Sequence, residues 1–150
     1  MAQTFSNLIT HIIFSTKGRY PLIDNELKPR LWEYLGGIIE EIKGNPLKIN
    51  GTADHVHLLV QLPPALSVAE AMRIVKTNSS RWVHQNWDSR EKFAWQTGYG
   101  AFSVSRSAVP AVVSYIENQA EHHLRKTFEH ELIAFLKKHA IEYDERYIWE

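Results

Sequence analysis

The chain has 150 residues, enough for one domain with its own hydrophobic core, and its composition excludes several classes of protein. It has no cysteine, which rules out disulfides and thiolate metal sites, and its formal net charge of zero argues against a protein that holds duplex DNA mainly by bulk electrostatics. No apolar run approaches the ~20 residues of a membrane span and the first residues do not resemble a signal peptide, so we expect a cytoplasmic protein with no membrane partner.

The first half of the chain predicts a strand, a helix and a hairpin. Residues 8–15 are dense in β-branched and aromatic side chains, as in a buried central strand. A helix capped by Asp24 or Asn25 continues to about residue 43, with apolar side chains at helical spacing. Residues 47–50 and 54–60 follow as two strands, which we expect to pair with each other.

The second half predicts a helix, an interrupted strand and two more helices. Ser67 and Glu70 form a capping box at the start of the first of these helices. Residues 93–105 contain strand-forming side chains interrupted by two glycines, which indicates two short strands or one bent strand. Pro110 lies near the start of a helix that extends to residue 123, and a last helix begins near Thr127.

This order of elements is typical of a ferredoxin-like βαββαβ sandwich, in which helices cover one face of an antiparallel sheet. We therefore predict an α+β fold with additional C-terminal helices, forming a single domain over residues 1–150. The last helix and the tail, from about residue 124, carry large apolar side chains among charges. We expect this part to dock on the body of the protein or on a partner subunit.

The strand at residues 54–60 carries two histidines at alternate positions. Because strand side chains alternate between two faces, His55 and His57 point to the same side, as a metal site requires. The helix after Pro110 places Tyr115 and Gln119 four residues apart, on one face. A glutamine oxygen can bind a hard cation, and a phenol can attack a group that the cation polarises. Taken singly, a buried histidine or a half-buried tyrosine is ordinary core.

Two other segments carry groups that can bind phosphates or base edges. One is the loop after the first strand, and the other is the polar second half of the helix that begins near Ser67. A solvated turn or helix face would have the same composition. The cationic and amide side chains concerned are Lys17, Arg19, Lys76, Asn78 and Arg81.

Over nearly its whole length the chain resembles the HUH-type single-tyrosine transposases, which move small IS200-like insertion sequences as single-stranded DNA. The resemblance is greatest to the branch associated with repetitive extragenic palindromes (REP). It rests on the sequences HIIFSTK at 11–17, ADHVHLLV at 53–60 with the following Pro63 and Pro64, and YIENQ at 115–119. The histidine pair alone is a weak motif, but its combination with the tyrosine helix in this order is specific.

The resemblance implies a DNA transposase and endonuclease with a tyrosine nucleophile. Tyr115 would attack the scissile phosphate of a single strand next to a hairpin, forming a 5′-phosphotyrosine and a free 3′-hydroxyl. The metal ligands would be His55, His57 and Gln119, with Mg²⁺ or Mn²⁺ as the cation, although the two imidazoles would also admit zinc. No nucleotide cofactor is expected, and the sequence has no GxxxxGK[ST] loop. The candidates for DNA contact are Lys17, Arg19, Lys76, Asn78 and Arg81.

The resemblance leaves three questions open. Family members commonly form homodimers, but the REP-associated branch includes monomers, so Tyr115 could serve the histidines of its own chain or of a partner. A catalytically silent protein that binds DNA hairpins with the same fold is the alternative function. Histidine-triad nucleotide hydrolases are a weaker alternative, because their motif needs a third histidine where this chain has Leu59.

Overall fold

A computed structural model of the protein describes residues 3–123 and 126–148, and its centre is a four-stranded antiparallel sheet. In chain order the strands and the two long helices between them are β1 (Ile9–Ser15), α1 (Leu27–Glu41), β2 (Asn45–Gly51), β3 (His55–Gln61), α2 (Val68–Asn86) and β4 (Gly100–Ser103). The strands lie in the order β2-β3-β1-β4, so β3 and β1 are central and β2 and β3 form the predicted hairpin. The ferredoxin-like α+β prediction is therefore confirmed.

Three further helices follow the sheet. They are α3 (Val109–Glu117), α4 (Gln119–His122) and α5 (Phe128–Lys138). The α5 helix packs its buried side chains Phe128, Leu132 and Leu136 against Ile13 of β1 and Phe102 of β4. Within residues 3–123 and 126–148, no helix is both long enough and apolar enough to cross a membrane.

The two central strands send different kinds of side chain to the two faces of the sheet. On one face, apolar side chains such as Ile12, Phe14 and Leu58 join α1 and α2 in the larger core. The antiparallel register places Ile13 opposite His57, so the alternate positions of both strands point to the face covered by α3, α4 and α5. His11, His55 and His57 all lie on that second face.

Side-chain hydrogen bonds occur at three of the four helix starts that the sequence predicted, and the start near Pro110 has none. Asp24 Oδ1 accepts a hydrogen bond from the backbone N–H of Leu27 at 2.9 Å, and Ser67 Oγ accepts one from the N–H of Glu70 at 3.1 Å. Thr127 Oγ1 accepts one from the N–H of residue 130 at 3.3 Å. These bonds satisfy backbone donors that have no partner inside the helix.

Two predicted elements differ from the structure. The helix predicted from Pro110 to residue 123 is interrupted at Asn118, whose φ and ψ of −95° and 25° separate α3 from α4. The Asn118 side chain makes no capping hydrogen bond here, whereas Asn50 Nδ2 of β2 donates to the carbonyls of Ile116 and Glu117 just before the break. In residues 93–105 only Gly100–Ser103 forms a strand, whereas Trp95 makes a single bridge to Thr16. Gly98, with a φ of +96°, lies in the turn between them.

The tail after α5 is only partly packed. Tyr143 contacts the cluster formed by α5 and the sheet, whereas Ile141 and Tyr147 are 42% and 59% exposed. The predicted docking of this tail on a partner subunit stays a prediction. Residues 149 and 150 of the predicted tail lie outside the described part of the chain, as do residues 124 and 125.

Candidate active site

The two histidines of β3 are buried and are held through their Nδ1 atoms. His55 Nδ1 donates to Asp54 Oδ1 at 2.8 Å and lies 2.9 Å from Thr52 Oγ1. His57 Nδ1 is hydrogen-bonded to His11 Nε2 at 2.8 Å. Both Nε2 atoms therefore face the layer formed by α3, α4 and α5. Metal-binding histidines are commonly fixed in this way, with one ring nitrogen held and the other presented to the ion.

The break at Asn118 lies between the two predicted residues of the tyrosine helix. Gln119, the first residue of α4, is fully buried, and its Oε1 lies 2.9 Å from His55 Nε2. Tyr115 lies in α3, with its ring centre 5.9 Å from that of His57. Asn50 of β2 donates from Nδ2 to the carbonyl of Ile116 at 2.9 Å, which ties this part of α3 to the sheet. The structure therefore brings Tyr115 and Gln119 together with the two histidines.

Glu131 of α5 lies at the centre of this group. Its carboxylate is 4% exposed, and Oε1 accepts a hydrogen bond from His57 Nε2 at 2.9 Å. The Nε2 atoms of His55 and His123 are each 3.4 Å from the same oxygen. The two imidazoles of β3 and that of His123, directly after α4, thus surround one carboxylate oxygen.

The second carboxylate oxygen of Glu131 contacts the tyrosine helix. Oε2 accepts a hydrogen bond from the Tyr115 hydroxyl and another, at 3.2 Å, from Gln119 Nε2. The carboxylate therefore links Tyr115 directly to the histidine pair. His122, one turn further along the chain, stacks its ring on Tyr115 at 4.6 Å between ring centres.

Glu131 is not among the residues predicted for the site, although the sequence contains a signal for it. Glu131 lies between Phe128 and Phe135 at intervals of three and four residues, on the face of α5 that carries the apolar side chains. A carboxylate at a core position of an amphipathic helix requires a partner, because burying it alone is costly. His11 and His123, which also reach the site, had no comparable signal of spacing.

Neighbouring groups in the site have pKa values that are shifted in opposite directions. Burial would lower the pKa of His55, but hydrogen bonds to Asp54 and Glu131 outweigh it and raise the pKa to about 9. Burial lowers the pKa of His57 to about 4, although Glu131 opposes the shift. Burial disfavours ionisation of Glu131 too, yet hydrogen bonds from the surrounding histidines hold the pKa of its carboxyl well below its usual range. Burial and then Glu131 raise the pKa of the Tyr115 phenol.

The donor atoms at this site can hold a metal ion. One ligand atom from each of His55, His57 and Glu131 lies within 4.8 Å of the others, and Gln119 Oε1 is adjacent to them. Two imidazole nitrogens with carboxylate and amide oxygens form a set without thiolate, which suits divalent cations such as Mn²⁺, Mg²⁺ or Zn²⁺.

A cavity of about 410 Å³ opens beside the site, between α3 and α5. Tyr115 and Glu131 line its inner part, and Lys126 and Lys138 contribute cations. Part of its wall is apolar, including Val112. The cavity gives an anionic ligand access to the Tyr115 side chain.

The loop candidates for DNA contact lie next to α5. Lys17 and Arg19 form a 3₁₀ turn directly after β1, in which Lys17 is exposed. Arg19 makes an ion pair with Glu129, two residues before Glu131. The turn is thus connected to the helix that carries the central carboxylate.

The helix candidates lie on the other side of the sheet. Lys76, Asn78 and Arg81 belong to α2, which packs on the face opposite the histidines. Lys76 Nζ donates to two backbone carbonyls of the segment before β4, at 2.6 Å each, and burial lowers its pKa to about 8. Arg81 is exposed and Asn78 is half-buried. The structure does not bring these three residues to the histidine site.

The chain is similar to several known proteins. Transposases of the insertion sequence element IS200 from Salmonella typhimurium and Salmonella typhi are each 27% identical to this chain over 126 residues, or 81% of this chain and 82% of theirs. A crystal structure of a protein from Deinococcus radiodurans R1, assigned as a transposase, superimposes with a TM-score of 0.62 at 23% identity, covering 79% of this chain and 95% of that one.

A second solved structure shares the fold. It is a REP-associated tyrosine transposase bound to a REP hairpin, with a TM-score of 0.59 at 12% identity, covering 82% of this chain and 74% of that one. The family described as "Transposase IS200 like" matches residues 4–119, which is well over half of the chain and includes the histidine pair, Tyr115 and Gln119. The protein therefore belongs to the IS200-like transposase family.

Proposed function

We propose that this transposase cleaves and rejoins single-stranded DNA next to hairpins through a 5′-phosphotyrosine on Tyr115. Membership of the IS200-like family supports DNA transposition, and one feature of the structure supports this chemistry in particular. Tyr115 and Gln119 meet His55 and His57 in one buried network, within a single chain. A nucleophile and a set of metal ligands are thus side by side, beside an open cavity.

The ligands proposed from the resemblance are His55, His57 and Gln119, and the cation is Mg²⁺ or Mn²⁺. The fit rests on the donor atoms, because both histidines present Nε2 to the site and Gln119 presents its oxygen. When bound, a divalent cation offsets the negative charge of the scissile phosphate as the phosphorus becomes five-coordinate.

The residues of the chain account for the movement of protons. The Tyr115 oxygen attacks the phosphorus, and its proton passes to Glu131 Oε2, which already accepts the hydroxyl hydrogen bond. The bond from phosphorus to the 3′-oxygen breaks, and the departing oxygen takes up the proton that Glu131 accepted, which leaves a 3′-hydroxyl. In the reverse sense, another 3′-hydroxyl attacks the phosphotyrosine, and the Tyr115 oxygen regains its proton. The ester energy is conserved in the phosphotyrosine, so the cycle uses no nucleotide.

The proposed substrate is a single strand flanked by a hairpin. A solved relative of the same fold is described as bound to a REP hairpin, which supports this class of substrate. Of the five proposed DNA contacts, Lys17 and Arg19 lie on the side of the candidate site. Arg19 makes an ion pair with Glu129 of α5, the helix that carries Glu131. Contacts by Lys76, Asn78 and Arg81 would require DNA to reach α2 as well.

The test uses a 3′-labelled single strand that carries a hairpin, so that the label stays on the fragment joined to the tyrosine; the strand is incubated with Mn²⁺ and analysed on a denaturing gel. We expect the unaltered protein to form a covalent adduct. Tyr115→Phe should lower the amount of adduct at least 100-fold and change the affinity for the hairpin by less than threefold. Tyr147→Phe, which changes an exposed tyrosine, is the matched control and keeps the adduct.

Two outcomes would contradict the proposal. An adduct that persists in Tyr115→Phe would mean that another group is the nucleophile. If the unaltered protein binds the hairpin but forms no adduct with any divalent cation, the catalytically silent hairpin-binding protein is the correct description.

A further inference from the structure

We infer that Glu131 is a ligand of the same metal ion, so that α5 completes the metal site and the ion holds α5 in place. The inference rests on the proposed metal site at His55 and His57 and adds a residue that the resemblance did not supply. Glu131 lies beyond residues 4–119, the part of the chain that the family match covers.

The distances in the site are those of ligand atoms that share one ion. Adjacent ligands at about 2.1 Å from an octahedral cation lie about 3 Å apart. Glu131 Oε1 is 2.9 Å from His57 Nε2 and 3.4 Å from His55 Nε2, and Gln119 Oε1 is 2.9 Å from the latter atom. These three pairs join four donor atoms from β3, α4 and α5, and the ligand atoms of His55, His57 and Glu131 all lie within 4.8 Å of one another.

The hydrogen bonds of His55 point to a cation at the same place. Its Nδ1 faces the Asp54 carboxylate, and its Nε2 faces two oxygen acceptors, Gln119 Oε1 and Glu131 Oε1. Both oxygens are acceptors, so their approach to Nε2 is favourable when that nitrogen carries a proton or a metal ion. His57 is compatible with an ion as well, because His11 Nε2 can accept a hydrogen bond from its Nδ1 once its Nε2 is metal-bound.

The two oxygens of Glu131 would then have different roles. Oε1 would bind the ion, while Oε2 would keep its hydrogen bond to the Tyr115 hydroxyl and fix that side chain next to the ion. Glu131 would thus be a metal ligand through Oε1, while Oε2 would remain the acceptor of the Tyr115 proton. Because the ion would bind the protein with α5 docked better than with α5 detached, metal binding would stabilise the docked helix.

The first experiment measures Mn²⁺ binding in the absence of DNA, by calorimetry or by electron paramagnetic resonance. We expect Glu131→Gln, which keeps the shape of the side chain, to weaken Mn²⁺ binding at least tenfold. The matched control Glu121→Gln changes an exposed carboxylate on α4 and should leave the affinity unchanged. Unchanged or tighter binding by Glu131→Gln would overturn the inference, because the carboxylate would then only fill the place of a substrate phosphate.

His57→Ala separates this inference from the proposed function. If His57→Ala abolishes Mn²⁺ binding and Glu131→Gln retains it, the metal site stands and the role of Glu131 is refuted. If the unaltered protein binds no Mn²⁺, the proposed metal site is itself wrong.

The second experiment uses the unaltered protein, so it does not depend on a variant that folds. Hydrogen exchange of the α5 amides, Phe128–Lys138, is followed with and without saturating Mn²⁺. We expect exchange in α5 to slow at least fivefold when Mn²⁺ is present, with a smaller change in α1. Equal exchange of α5 in both conditions would overturn the coupling between metal and helix.

Discussion

At the scale of single residues, three buried imidazoles within one site have opposite charge preferences. Burial lowers the pKa of His11 to about 3 and that of His57 to about 4, whereas Asp54 and Glu131 raise that of His55 to about 9 against the effect of burial. At neutral pH, His55 therefore carries a positive charge while its two neighbours are neutral. The difference arises from their partners, because His55 has carboxylates at both ring nitrogens.

These shifts predict a maximum of stability near pH 6.5 for the metal-free protein. Below about pH 6.5, His11 and His57 take up protons only in the unfolded state, so stability falls as the pH drops toward 4. Above that pH, His55 keeps a proton in the folded state that the unfolded state releases, so stability falls as the pH rises toward 9. Each histidine contributes at most about 1.4 kcal/mol per pH unit.

The measurement is the melting temperature from pH 5 to 9 in the presence of a chelator. His55→Gln should remove the alkaline decrease, and His130→Gln, at an exposed position, should leave the curve unchanged. A melting temperature that is constant over this range would show that the histidines do not have these shifted pKa values.

Residue patterns predicted part of this site. Alternation along a strand and spacing along a helix are local properties, which is why the sequence could predict shared faces for His55 with His57 and for Tyr115 with Gln119. The central position of Glu131 depends on how α5 crosses the sheet, and no local period encodes that contact. The catalytic and metal-binding roles of these residues therefore stay predictions, while the structure shows that the residues lie close together.

At the scale of elements, α5 is held mainly by apolar contacts. Leu132 is 7% exposed and packs with Ile13, Phe102, Phe128 and Leu136. The neighbouring Glu131 is directed into the histidine site, so the packing of Leu132 also fixes the carboxylate. The stability of this cluster and the geometry of the site are consequently linked through one helix.

We expect Leu132→Ala to lower the free energy of unfolding by about 2–3 kcal/mol, because it leaves a cavity under α5. Ile141→Ala, at a position that is 42% exposed, is the control and should lower it by less than about 1 kcal/mol. Urea denaturation measures both values. Equal, small losses in the two variants would mean that α5 contributes little to the folded state.

The helices and strands show where local sequence is sufficient. The starts at Asp24, Ser67 and Thr127 were predictable because a capping side chain and its backbone donor are three residues apart. The break at Asn118 was not predicted, because the apolar spacing of the helix continues through it. Its position depends on contacts such as that of Asn50 with the carbonyl of Ile116.

At the scale of the whole molecule, the candidate site is complete within one chain. Tyr115 is joined to His57 of the same chain through the Glu131 carboxylate. The order of elements was enough to predict the sheet topology, because short connections and antiparallel pairing leave few alternatives. Whether the tyrosine serves its own chain could not be predicted, since the sequence is the same in both arrangements.

Mixing two inactive variants tests this arrangement. We expect a mixture of Tyr115→Phe and His57→Ala to remain at least 50-fold less active than the unaltered protein, because neither chain contains a complete site. DNA cleavage in the mixture is the measurement. Recovery of about a quarter of the activity, from one complete site in each mixed dimer, would show that Tyr115 acts on a partner's histidines instead.

The docking of α5 also determines where the chain can be shortened. The family match ends at Gln119, but in a fragment cut there Ile13 and Phe102 would lose the apolar side chains that cover them. Such a fragment would expose a hydrophobic patch on the uncovered face of the sheet. The buried imidazoles would also lose the carboxylate of Glu131. The limits of sequence similarity are therefore not the limits of a stable expression fragment, which must extend at least through Lys138.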